Sequence, residues 1–134
     1  MPASNLDTLL NQFTPQDVIG AIFAYSGLET FPSDRQKLHK FIRDKKVEGK
    51  ELLEPFVFSE GVDLFPFSRL LESVFMQLQL AGCLSAKNPE YERFGLTDAI
   101  RERIKEKTEQ RFNRTQLQLL EKIGQDFGRE FAID

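Results

Sequence analysis

Residues 68–97 read SRLLESVFMQLQLAGCLSAKNPEYERFGLT and contain the strongest structural signals in the chain. Apolar side chains recur there at the spacing i, i+3, i+4 and i+7, which predicts a helix from Ser68 to Gly82 with one buried face. The members of this stripe are Leu71, Val74, Phe75 and Leu78. Gly82 suits the end of the helix, because glycine adopts the left-handed conformation that often follows a last turn.

The second half of this stretch predicts a hairpin. The turn signal Asn88-Pro89 lies between two short mixed runs, which is typical of two strands joined by a longish loop between Cys83 and Phe94. Thr97 then has the position and side chain of a helix cap, and it predicts a charged helix that continues to Lys107.

Helix signals also lie on both sides of this stretch. Thr14-Pro15-Gln16-Asp17 predicts a helix that begins with a capping box and ends near Gly27. Ser33 is the predicted cap of a basic helix that follows, and Thr115-Gln116-Leu117-Gln118 predicts a last capping box. Residues 1–13 have the apolar spacing of a short amphipathic helix, and residues 52–58 are predicted to be extended.

The order helix, helix, hairpin, helix resembles a winged helix-turn-helix domain. The pattern of stripe, Gly82, hairpin, Leu96-Thr97 and helix is similar to that of MarR- and PadR-like regulators. The predicted fold class is therefore mainly α with a small β-hairpin, a winged-helix-like core with additional N- and C-terminal helices. We predict one domain over residues 1–134, with an N-terminal helical segment (1–32), the winged-helix-like core (33–107) and a C-terminal helix (113–134). Winged helices bind DNA in some proteins and other proteins in others.

The composition excludes several classes of protein. The chain has 134 residues, a formal net charge of −3, one His and one Cys. With one Cys it cannot form an internal disulfide, and one Cys with one His is too few for a four-ligand Cys/His zinc site. It has no apolar run near ~18–20 residues and no signal-like start. We therefore expect a non-enzymatic, cytoplasmic protein with no metal, no cofactor and no membrane contact.

Charge is distributed unevenly along the chain. Residues 33–50 carry seven bases and three acids, a net charge of +4, whereas residues 51–100 carry three bases and eight acids, a net charge of −5. DNA affinity depends largely on Lys and Arg side chains that meet phosphates. The predicted helix that begins at Ser68 offers one base, Arg69, with Glu72 near it, so we expect few of its residues to touch phosphate, and the segment around it is acidic.

Two functions stay open on these observations. One is a regulator that binds double-stranded DNA as a homodimer. The other is an adaptor within a larger assembly whose acidic face binds a basic protein partner. DNA is favoured if the basic segment shares one surface with the Ser68 helix and the hairpin, and the adaptor is favoured otherwise. The candidate contact residues for either partner are Arg35, Lys37, Lys40, Arg43, Lys46, Arg69, Ser73, Gln77, Lys87 and Arg93.

Small residues at helical spacing predict a close helix contact. Gly20 and Ala24 share one face of the first long helix, and Gly124 and Gly128 share one face of the last. Each glycine inside a helix costs about 1 kcal/mol relative to Ala, so a compensating contact is expected. The contact is predicted within the chain or across a dimer, with Phe127 and Phe131 beside it. The alternative is that Gly124 or Gly128 simply ends or kinks the last helix.

The aromatic residues are unusual, because the chain has thirteen Phe and no Trp. Phe41, Phe75, Phe127 and Phe131 lie on helix stripes and are predicted core residues. A second group, in the connector before the Ser68 helix, is predicted to form either a wedge between helices or an exposed patch; it consists of Phe56, Phe58, Phe65 and Phe67. His39 and Cys83 are interpreted as structural residues, with Cys83 as small buried filler.

Overall fold

The computed structural model describes residues 13–59, 66–87 and 93–132. They form a mainly helical fold with a small antiparallel sheet, which confirms the predicted class at this level. The helices are α1 (Pro15–Tyr25), α2 (Arg35–Lys45), α3 (Lys50–Leu53), α4 (Arg69–Leu80), α5 (Asp98–Arg111) and α6 (Arg114–Phe131); the strands are β1 (Thr30–Pro32), β2 (Ser85–Lys87) and β3 (Arg93–Gly95). The predicted helix within residues 1–13 falls almost wholly outside the described residues, and the division into segments stays a prediction.

Helices α1 and α4 begin where the sequence predicts. The Thr14 hydroxyl accepts a hydrogen bond from the Asp17 N–H (3.1 Å), and the Asp17 carboxylate accepts one from the Thr14 N–H (2.9 Å). The Ser68 hydroxyl accepts from the Leu71 N–H at the start of α4. Gly82, with φ of +78°, turns the chain out of α4 as predicted.

Two predicted caps are wrong by one or two residues. Asp34, not Ser33, caps α2, because its carboxylate accepts hydrogen bonds from the first backbone N–H groups of that helix. Asn113, not Thr115, caps α6 and forms a reciprocal capping box with Gln116. In both places the cap is the residue whose side-chain oxygen accepts from the N–H two or three residues further on.

The sheet has one strand more than the predicted hairpin. Strand β3 lies in the centre, with β2 on one side and β1 on the other, and Phe94 of β3 is paired with Phe31 of β1 and with Ala86 of β2. β1 has three residues and contains Pro32, which an edge strand tolerates. The predicted extended segment 52–58 is wrong, because it begins inside the short helix α3.

Phenylalanine rings form the centre of the core. The Phe127 ring lies 5.3 Å from Phe23 of α1, 5.0 Å from Phe31 of β1 and 5.2 Å from Phe41 of α2, measured between ring centroids. It stacks on Phe131 at 4.1 Å. The four phenylalanines predicted in the core are confirmed, since all are nearly inaccessible. Helix α6 is therefore part of this core.

The phenylalanine-rich connector is divided between the core and the surface. Phe56 is fully buried, as the wedge interpretation predicts, and Phe58 is half-buried. Phe67 is 36% exposed and stacks on the His39 ring at 4.9 Å. Phe65 lies outside the described residues.

Candidate functional site

The exposed face of α4 carries mostly uncharged side chains. Its stripe of Leu71, Val74, Phe75 and Leu78 is buried, so the opposite side faces solvent. That side exposes Arg69, Ser73, Met76, Gln77 and Leu80. We call these five residues the α4 face. Met76 is 61% exposed and Leu80 is 81% exposed, one helical turn apart.

Glu72 does not belong to this face, which corrects the expected acidic surface. Its carboxylate accepts from the Arg35 Nε at 2.9 Å and lies 2.7 Å from the His39 Nε2. The Arg35 guanidinium also lies over the Phe75 ring (5.2 Å) and the Phe94 ring (5.0 Å). Glu72 is therefore neutralised from α2, and Arg69 is the one charged residue of the α4 face.

His39 is fully buried between α2 and α4. The Ser68 N–H donates to its Nδ1 (3.0 Å), so Nε2 carries the proton and donates to Glu72. Burial lowers the pKa of His39 from its ordinary value, although Glu72 acts in the opposite direction. The neutral ring thus connects the start of α4 to α2, which agrees with the structural interpretation.

The bases of α2 contact several different parts of the molecule. Lys37 donates to the carbonyl oxygen of Glu130 on α6 (3.0 Å), and Lys46 donates to that of Phe56 (2.6 Å). Lys45 donates to the Asp126 carboxylate on α6 (2.8 Å). Three of the seven bases in residues 33–50 are therefore bonded to other parts of the chain.

The remaining predicted contact residues of α2 and the hairpin lie in different settings. Lys40 is exposed, and Arg43 contacts the neighbouring Asp44 (3.3 Å). Arg93 of β3 is half-buried and donates to the Thr30 hydroxyl on β1. The Lys87 side chain and residues 88–92 are outside the described part of the chain.

The small residues predicted at a helix contact are used within the chain. A Cβ atom on Gly124 would lie 2.6 Å from the Tyr25 Cβ, and one on Gly128 would overlap the Ser26 carbonyl oxygen. The end of α1 and the helix α6 therefore approach each other too closely for larger residues. Gly20 and Ala24 are buried on α1, but Gly20 faces α4 and α5, because Leu78 and Ile104 are its nearest neighbours.

Cys83 is half-buried, so it is less enclosed than predicted, and it has no disulfide. Among the described residues, no group of three or more His, Cys, Asp or Glu side chains could hold a metal ion. The helices described here include none that is both long and apolar enough to cross a membrane.

No known protein family, curated protein or solved structure matches this chain.

The sequence predicts the three polar residues of the α4 face as contact residues but not its two apolar residues. Arg69, Ser73 and Gln77 are among the candidate contact residues predicted from the sequence, whereas Met76 and Leu80 are not. The spacing from Ser73 through Met76 to Leu80 places all three opposite the buried stripe and could have shown it.

Proposed function

We propose that this protein is a non-enzymatic adaptor with a winged-helix-like layout that binds a protein partner through the α4 face. The layout is supported by the order of α2, α4, the β2–β3 pair and α5 along the chain. Gly82 turns the chain from α4 towards β2, and Thr97 caps the helix after β3, as in the regulators that residues 68–97 resemble. We propose the cytoplasm as its location.

The chemistry of the α4 face carries the proposal. The centres of protein interfaces are depleted in charge and enriched in residues such as Met, with polar groups around them. Met76 and Leu80 provide such a centre, and Ser73 and Gln77 flank it. Because Glu72 is turned towards Arg35 and His39, a partner that covers this centre need not desolvate a carboxylate.

The distribution of bases also favours a protein partner. A protein that neutralises several phosphates needs several accessible Lys or Arg side chains on one surface. Three bases of residues 33–50 are instead bonded within the chain, to groups on α6 and at Phe56. The α4 face itself contributes Arg69.

The proposal is tested by affinity capture from nuclease-treated extract of the native host. We expect proteins that the wild type retains to be lost when Met76→Ser and Leu80→Ser are combined. Val47→Ser is the matched control, because Val47 is 90% exposed and lies outside the α4 face. Circular dichroism first checks that both variants are folded. Equal capture by the double variant and the wild type would contradict the proposal.

Binding of double-stranded DNA as a dimer is the second candidate. It is favoured by Arg69, Ser73 and Gln77, because side chains of these types can bond base edges and they share one exposed helix face. An electrophoretic shift assay at low and moderate salt tests it, with Arg69→Gln compared with the exposed Arg114→Gln on α6. DNA retarded by Arg114→Gln but not by Arg69→Gln would support this candidate, and no retardation at low salt would remove it.

Self-association is tested separately by light scattering of the wild type. Since Gly124 and Gly128 pack against α1 in the same chain, a dimer needs a surface other than theirs. A monomer mass across the concentration range would remove the dimer from the second candidate.

A further inference from the structure

A cavity of about 200 Å³ lies between α1, the end of α4 and α5. None of the candidate partner-contact residues whose side chains the structure describes lines it. Its apolar lining includes Gly20 of α1, Leu78 of α4, Ile100 and Ile104 of α5, and Phe112. For comparison, a cavity of about 150 Å³ lined by apolar side chains holds a benzene ring. The cavity therefore has space for an apolar group of about six to eight carbons.

A side chain at Gly20 would extend towards Ile104 and Leu78, which also line the cavity. Gly20 lies inside α1, where glycine is less favourable than alanine. A Cβ atom there would meet Ile104 and Leu78 at 3.9 Å, an ordinary contact distance. Packing among the described residues thus admits alanine at this position, in contrast to Gly124, where a Cβ would collide with Tyr25.

The mouth of the cavity is positively charged. Arg103, Lys107 and Arg111 line it from successive turns of α5, at the spacing i, i+4, i+8. Among the residues that the structure describes, Asp17 is the one acidic residue in the lining, and its carboxylate lies 3.0 Å from Arg111 and 3.8 Å from Lys107. Three bases against one acid give this described part of the lining a net positive charge, and Arg103 is exposed.

We propose that this cavity binds a small amphipathic monocarboxylate. The apolar body would lie against Gly20, Leu78 and Ile104, where its burial removes apolar surface from water. The carboxylate would lie at the mouth and accept hydrogen bonds from Arg103, whose planar guanidinium matches a carboxylate with two parallel bonds. This site is separate from the α4 face, so the proposal does not depend on the proposed function.

The test is isothermal titration calorimetry of the full chain with three probes. Octanoate has both the apolar hydrocarbon chain and the carboxylate, octan-1-ol has the chain alone, and acetate has the carboxylate alone. We expect saturable binding of one octanoate per chain, with an affinity at least about tenfold above that of either control, because a charge-assisted hydrogen bond and a buried chain each contribute that much.

Variants decide whether the binding takes place in this cavity. Arg103→Gln should weaken octanoate binding by about tenfold, whereas Arg114→Gln, also exposed but on α6, should leave it unchanged. Gly20→Leu should abolish binding by filling the space. If Gly20→Leu does not fold, the comparison of the two arginine variants decides alone.

Three results would overturn the proposal. Equal affinity for octanoate and octan-1-ol would show that the positive mouth plays no part. Equal octanoate binding by Arg103→Gln and the wild type would place the carboxylate elsewhere. If octanoate does not bind saturably, a small carboxylate is excluded as the ligand of this cavity. A segment of a protein chain would then be the alternative occupant.

Discussion

Three glycines inside helices are expected to differ in how substitution by alanine changes the stability of the fold. Gly20→Ala, Gly124→Ala and Gly128→Ala each add one methyl group inside a helix. At Gly20 the methyl group meets neighbours at 3.9 Å, whereas at Gly124 it would lie 2.6 Å from the Tyr25 Cβ. At Gly128 it meets the carbonyl oxygen of Ser26, a backbone atom that cannot rotate away.

The magnitudes follow from two opposing terms. Alanine gains about 1 kcal/mol over glycine in a helix interior. Overpacking costs about 1–3 kcal/mol, and a rigid backbone obstacle favours the upper part of this range. Gly20→Ala should therefore stabilise the fold by up to about 1 kcal/mol, and Gly128→Ala should destabilise it by about 1–2 kcal/mol. For a chain of 134 residues, 1 kcal/mol corresponds to roughly 3–4 °C in Tm.

Thermal unfolding followed by circular dichroism measures these changes. We expect Gly20→Ala to raise the Tm by about 2–4 °C and Gly128→Ala to lower it by about 4–7 °C, with Gly124→Ala on the lowered side. Gly20→Ala serves as the matched control for helix propensity. If all three variants raise the Tm equally, the close approach of α1 and α6 is refuted.

Three further predictions concern His39, Asp126 and Phe127. Because burial lowers the pKa of His39 below 6.5, its contribution to stability is full above about pH 6.5 and is lost as the pH falls below that value. In urea unfolding between about pH 7.5 and 5.5, His39→Gln should thus lose less stability than the wild type, and equal losses would contradict this. The hydrogen bond from Lys45 holds the pKa of Asp126 below 3.8, so Asp126→Asn should cost about 1–2 kcal/mol at neutral pH. The difference in stability between the wild type and Asp126→Asn should disappear in acid, because the Asp126 carboxyl becomes protonated as the pH falls through its lowered pKa. A difference that persists in acid would show that the ionised carboxylate is not its cause. Phe127→Ala should cost about 3–5 kcal/mol in guanidinium unfolding, and a loss below about 1 kcal/mol would remove this ring from the centre of the core.

Much of the helical architecture could be predicted from local signals. The stripe of Leu71, Val74, Phe75 and Leu78, the Ser68 cap and the Gly82 turn are all encoded within a few residues of one another, and the structure contains all of them. The capping box at Thr14 was predictable for the same reason.

Features that depend on distant contacts were not predictable in this way. β1 is a strand because Phe31 is paired with Phe94, far along the chain, and its three residues have no periodicity of their own. The neutralisation of Glu72 requires Arg35, 37 residues away. The spacing of glycines indicated a close helix contact, but the particular partner of each glycine depended on the packing of α1 against α4, α5 and α6.

The central claim is that the α4 face contacts a protein, and crosslinking in the native host tests it most directly. A photoreactive benzophenone side chain is placed at Leu80, 81% exposed on this face, or at Val47, 90% exposed outside it. We predict a discrete crosslinked protein from the first position that is absent from the second. Crosslinks to DNA alone, the same products from both positions, or no product at Leu80 would contradict the claim.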